Sequence, residues 1–126
     1  MDLTEPLKEL VDNVPGAIGA ILVDAEGESI SLFSAARSEM ISGDESLRLR
    51  LIGALQRIWL TQCRRIAGEA ELGKLGYQVQ TFSESKVVGI PVKDDYALFL
   101  IGDHTLYASM SLKYMAQTVS RLEQEI

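Results

Sequence analysis

Residues 17–23, Ala-Ile-Gly-Ala-Ile-Leu-Val, are apolar on both sides of any extended segment they form. Two stops bracket them, Pro15-Gly16 before and the acidic turn Asp24-Ala25-Glu26-Gly27 after. A strand with no polar face belongs inside a sheet whose two faces are both covered. The spacing predicts a strand over residues 16–23, with Ile18, Ala20 and Leu22 on one side and Ala17, Ile21 and Val23 on the other. Gly27 suits the positive φ of a hairpin turn. Upstream, Leu3, Leu7, Leu10, Val11 and Val14 recur at helical spacing. Asp2 or Thr4 is available as a cap, Pro6 is tolerable within the first turn, and the helix has to end before Pro15.

The remaining pattern completes the layers. A second strand is expected over residues 28–33, then a loop over 35–43, then a long helix that opens with Asp44 and Glu45 and closes near Gly68. Acids at that start complement the positive end of the helix dipole. Three strands follow as a meander over residues 74–82, 86–92 and 96–101, joined by turns at Ser83-Glu84-Ser85 and Lys93-Asp94-Asp95. Pro91 lacks a ladder donor, which predicts a lost hydrogen bond or a bulge near the end of its strand. Asp103 is placed to cap a final helix, where Ala108, Leu112, Met115, Val119, Leu122 and Ile126 step by four and three in one apolar stripe. The expected fold is α+β: one five-stranded antiparallel sheet with helices on both faces, in the order α-β-β-α-β-β-β-α, as a single domain over residues 1–126.

A chain of 126 residues can bury a core without disulfides or metal. The lone Cys63 cannot bridge within the chain, which points to a reducing, cytoplasmic setting. The acidic N-terminus lacks the pattern of a secretory signal, and the longest apolar runs fall short of a membrane span. Net charge is −6, which argues against nucleic acid as a partner. Residues 46–68 run against that average: they hold five arginines (Arg48, Arg50, Arg57, Arg64, Arg65) and no acid, leaving −11 for the rest of the chain, −6 less +5.

The helix ending Leu10-Val11, the stop at Pro15-Gly16, the doubly apolar strand and the turn closing at Gly27 together resemble the opening of the roadblock (dynein light chain) family. The likeness extends in kind over the whole chain. One departure is His104-Thr105-Leu106-Tyr107, where family members often carry Asn-Leu-Gly before the last helix. The resemblance implies a dimerising domain that serves as a docking platform for small GTPases and motor complexes.

The middle helix bears on that implication. At about 100° per residue, Leu47, Leu51, Ile52, Ala54, Leu55, Ile58, Trp59, Cys63 and Ile66 cover nearly half its circumference, and Leu49 and Leu60 widen the arc. A helix on one sheet needs an arc of little over about 100°, roughly half of what is present. By the resemblance, the excess is covered by the same helix of a second subunit, with the third strands paired edge to edge; the alternative is a monomer whose own loops cover the helix. The third strand fits, since Leu75, Tyr77, Val79 and Thr81 alternate with Gly76, Gln78 and Gln80 and nothing blunts its edge. The expected dimer residues are Leu49, Leu60, Ile52, Trp59, Tyr77 and Val79.

Catalytic chemistry finds little to work with. His104 is the single histidine and reads as a surface or capping residue. Cys63 falls on the apolar arc and reads as an inert thiol, although Arg64 and Arg65 adjoin it. One histidine and one cysteine far apart match no metal site, and Gly16-x-x-Gly19 and Gly73-Lys74 match no nucleotide loop. No cofactor is expected. The strip of Arg50, Arg57 and Arg64, spaced by seven, reads either as a solvated face balanced by acids such as Glu69, Glu71 or those of a dimer mate, or as an acid-seeking patch with Leu49 and Leu60 as its apolar centre. The resemblance favours a non-enzymatic homodimeric scaffold that binds and regulates an Mgl-type small GTPase. The alternatives are a nucleotide-independent adaptor in a motor or signalling complex and a small-ligand sensor.

Overall fold

A computed structural model describes residues 3–35, 43–93 and 95–126, the side chains of 43–45 excepted. The expected cap at Asp2, the acids Asp44 and Glu45, most of the 35–43 loop and Asp94 lie outside the described residues. The elements are α1 (Thr4–Asn13), β1 (Ala17–Val23), β2 (Ser29–Ser34), α2 (Gly43–Glu69), β3 (Gln78–Thr81), β4 (Ser85–Val92), β5 (Tyr96–Asp103) and α3 (Ala108–Glu125). The strands form one antiparallel sheet in the order β2-β1-β5-β4-β3. Helices α1 and α3 cover one face and α2 the other, as the cores they share with the sheet show.

β1 sits between β2 and β5, as a strand apolar on both sides requires. Its register against β5 shifts between Ala17 and Gly19. That irregularity exchanges the faces expected for the first two residues: Ala17 packs on the α1/α3 core and Ile18 lines a groove on the α2 side. Gly27 has φ +84°, the left-handed geometry its turn calls for. Gly16 is equally constrained, at φ +87°, because a Cβ there would come within 2.6 Å of the Thr105 hydroxyl.

On the first face, Leu7, Leu10, Leu22, Leu98, Leu100, Met115 and Leu122 make a common core. The α3 stripe is inward as expected, with Met115 and Leu122 at its centre. The same line also holds Ser111 and Thr118, which are buried because each hydroxyl donates back to the carbonyl one turn earlier, Tyr107 at 2.7 Å and Tyr114 at 3.0 Å. The chain passes through Pro91 without a bulge: Pro91 stands opposite Ala97 in unbroken register. Pairing with β3 stops at Gln78 and Gly89, so β4 is an edge where the proline lies. β3 itself begins at Gln78, four residues later than the alternation from Lys74 suggests.

Asp103 does not cap α3, which has Tyr107 at its N-cap position with no side-chain bond there. Instead it closes a turn, accepting from the Thr105 N–H at 2.8 Å and from the Thr105 hydroxyl. Those bonds favour the carboxylate and hold its pKa below the ordinary aspartate value. A depressed carboxyl stabilises the fold above the unfolded pKa of about 3.9, and that stability is lost as pH falls through the folded value. Asp103→Ala is therefore expected to lower the urea midpoint at neutral pH, with the gap from the parent chain closing below about pH 4. A gap constant from pH 7 to 3 would rule this account out.

Candidate protein-docking face

Helix α2 lies on β1 and its neighbours through a line of small and apolar residues. Gly53 has Ile21 and Val23 side chains 3.0 Å from where a Cβ would sit, and Gly19 in turn makes room for Leu49. The helix approaches the sheet closely along this line. Leu49 at 2% exposure and Leu60 at 0% therefore fill the intrachain core with Ile21, Phe99 and Ile101. Their expected place on a dimer or docking surface is corrected accordingly. Ile52 also packs partly against that core.

Among the described residues nothing covers the opposite side of α2. Leu47, Leu51, Leu55, Ile58, Trp59 and Ile66 are all exposed, Leu55 by 65% and Trp59 by 45%. The excess of apolar surface is thus present, turned about half a circle from Leu49 and Leu60. Beyond it β3 ends the sheet, with one edge unpaired among the described residues and with Tyr77 and Val79 exposed beside it. A soluble monomer rarely presents so large an apolar patch.

The arginine strip is not one surface. Arg57 is buried at 5% exposure, its Nε donating to the Ala25 carbonyl at 3.4 Å over the β1–β2 turn. Its Nη1 is enclosed with no hydrogen-bond partner among the described residues. Burial, and then the charge of nearby Arg64, push its guanidinium below the usual arginine range. Arg57 is therefore also corrected as a docking residue. Arg64 pairs at 3.4 Å with Asp95 in the β4–β5 turn, rather than with Glu69 or Glu71. Arg50 is exposed.

His104 is exposed and Cys63 is half-buried. Among the described residues no group of histidine, cysteine and acidic side chains is arranged to hold a metal, and no helix is long and apolar enough to cross a membrane. Sequence reasoning missed three polar side chains on the α2 side. Gln56 donates to Gln80 at 2.7 Å, and both amide atoms of Gln78 are buried without a partner among the described residues. The alternation along β3 separates Gln78 and Gln80 from Val79, but only the paired sheet shows which face they take.

A five-stranded antiparallel sheet in this order, with one long helix on one face and two helices on the other, is the fold of the Roadblock/LC7 domains. A Roadblock/LC7 domain from Streptomyces avermitilis superposes with a TM-score of 0.85 at 17% identity, over 99% of this chain and 98% of that one. An MglB in a tetrameric arrangement gives 0.80 at 16% identity, over 95% and 84%. Myxococcus xanthus MglB gives 0.78 at 13%, over 97% and 92%. No protein-family model matches the sequence, and no curated protein matches it. The likeness is one of fold.

Proposed function

We infer that this chain is a non-enzymatic, cytoplasmic scaffold of the roadblock type that works as a homodimer and regulates a small Ras-like GTPase of the Mgl kind. The observation that carries the reading is the pairing of an uncovered apolar side of α2 with an open β3 edge. Two surfaces of different chemistry ask for the same kind of cover, and a second copy supplies both through one twofold axis. The fold shared with MglB supports the GTPase as partner. Such a protein acts by ordering the GTPase's switch loops rather than by supplying an active site.

The dimer face consists of Leu51, Leu55, Ile58 and Trp59 with Tyr77 and Val79. The acid-seeking patch, reduced to its exposed members, is Arg50 and Arg64. The test is affinity for an Mgl-type GTPase in its GTP and GDP forms. We expect tighter binding to one form, weakened by Arg50→Glu with Arg64→Glu. Equal affinity for both forms favours the nucleotide-independent adaptor, and absence of binding to either removes the GTPase reading. An apolar groove of about 300 Å³ lined by Ile18, Ile52, Leu55, Phe82, Val87 and Ile101 favours a ligand sensor as the second reading, in which case a small apolar ligand raises Tm.

A further inference from the structure

We propose that the groove between the N-terminal half of α2 and the sheet binds an aliphatic carboxylate, its chain lying on Ile18, Val87 and Ile101 and its carboxylate at Arg48. The inference rests on the ligand-binding reading and gives that ligand a chemistry. It is independent of the GTPase, and the groove shares only Leu55 with the proposed dimer face.

The groove exists because α2 sits to one side of its sheet. Gly53 and Gly19 let the helix down onto β1, with Ile21 and Val23 side chains 3.0 Å from where a Gly53 Cβ would lie. The helix therefore lies over β1 and β2 more than over β5 and β4. On the less covered side Ile52 and Leu55 make a wall, while Ile18, Ile101 and Val87, from three adjacent strands, make the floor. Val87 and Ile101 stand opposite each other in the β4–β5 ladder, and Ile18 joins them on this face through the irregularity in β1. The space left is about 300 Å³, at the small end of ligand sites, which limits the occupant to a small molecule.

The lining also selects a charge. Among the described residues that form it, Arg48 is the only charged one, exposed at the rim one turn before Ile52. A cation beside an apolar trough favours a ligand with an apolar body and an anionic end, and it disfavours an ammonium. Arg48 has an interaction within the fold already. Its guanidinium carries five N–H donors, so it serves a carboxylate as well. Gln56, the one amide in the lining, donates to Gln80 at 2.7 Å and is held against β3. One arginine with no second cation beside it matches the single charge of a carboxylate better than the higher charge of a phosphate.

The probes are hexanoate, octanoate and decanoate, titrated below their micelle concentrations into the full chain and followed by methyl NMR. Saturable shifts are expected at Ile18, Val87 and Ile101, with Leu98 and Met115, in the core on the other face of the sheet, unmoved. Affinity is expected to rise about fourfold for each added methylene, the transfer value of one buried CH₂. Arg48→Gln is expected to weaken decanoate by about threefold to fivefold, the size of an exposed ion pair, and to leave decanol unchanged. Ser85→Leu, which adds apolar bulk to the lining, is expected to abolish binding of both while the Leu98 and Met115 signals keep their native positions. GTPase affinity enters none of these arms, so their failure is separate from failure of the scaffold reading. No saturable shift with any of the acids or with decanol overturns the site and the ligand-binding reading together. Decanol binding as tightly as decanoate, or no effect of Arg48→Gln, overturns the carboxylate and leaves an apolar site. Binding to phosphatidylglycerol vesicles without any shift from decanoate overturns a free acid as the occupant.

Discussion

Leu60→Ala is expected to lower the free energy of unfolding by roughly 2–5 kcal/mol, the range for emptying a fully buried leucine site. Leu55→Asp, little more than one turn away, is expected to preserve native circular dichroism and abolish self-association. The contrast follows from placement on the helix. Leu60 is wholly enclosed between α2 and the sheet with Ile21 and Phe99 near it, whereas Leu55 is the more exposed of the two by far. Urea denaturation and light scattering of both variants at one protein concentration separate the effects, since a dimer's apparent stability depends on protomer concentration. If Leu60→Ala abolished self-association with its monomer fold unweakened, Leu60 would return to the proposed interface.

The second large effect is centred on Phe99, which is fully buried at the middle of β5. Phe99→Ala is expected to cost about 3–5 kcal/mol. The ring lies over Gly89 of β4, where a Cβ would come within 2.6 Å of both Cδ1 and Cε1. Real Cβ atoms do not approach that closely, so Gly89→Ala has to displace the ring or separate the strands, at a cost of about 1–3 kcal/mol. Because the clash of Gly89→Ala is with the Phe99 ring itself, the two sites are coupled. Gly89→Ala combined with Phe99→Leu is expected to be less destabilised than the sum of the single variants. Additive losses in a double-mutant cycle would mean that the glycine is required for another reason.

Much of the architecture was legible because it depends on local periodicity. The α3 stripe, the two-faced β1, the stop at Pro15 and the glycine turn at Gly27 each state a requirement that neighbouring residues satisfy. Element order followed from them. The site was less legible. A helical wheel gives the width of an apolar arc, but not which half of a wide arc goes under the helix. In α2 that choice goes with Gly53 and Gly19, which permit close approach along the line of Leu49 and Leu60. The same choice carried Arg57 against the β1–β2 turn and divided an evenly spaced arginine strip into one buried and two exposed members. The shortened β3 and the irregularity after Ala17 were hidden for a related reason, since ladder registers are set by pairs of strands and not by either alone.

What the chain's own order of residues determined is a layered α+β domain carrying more apolar helix surface than one sheet can cover. Only the tertiary structure decided where that surplus lies, on the Leu51, Leu55, Ile58 and Trp59 side, and that two glutamines stand at the edge beside it. The physical reason is that periodicity records the directions of side chains about their own element, while burial depends on how closely two elements can come together, which small residues on both partners set jointly.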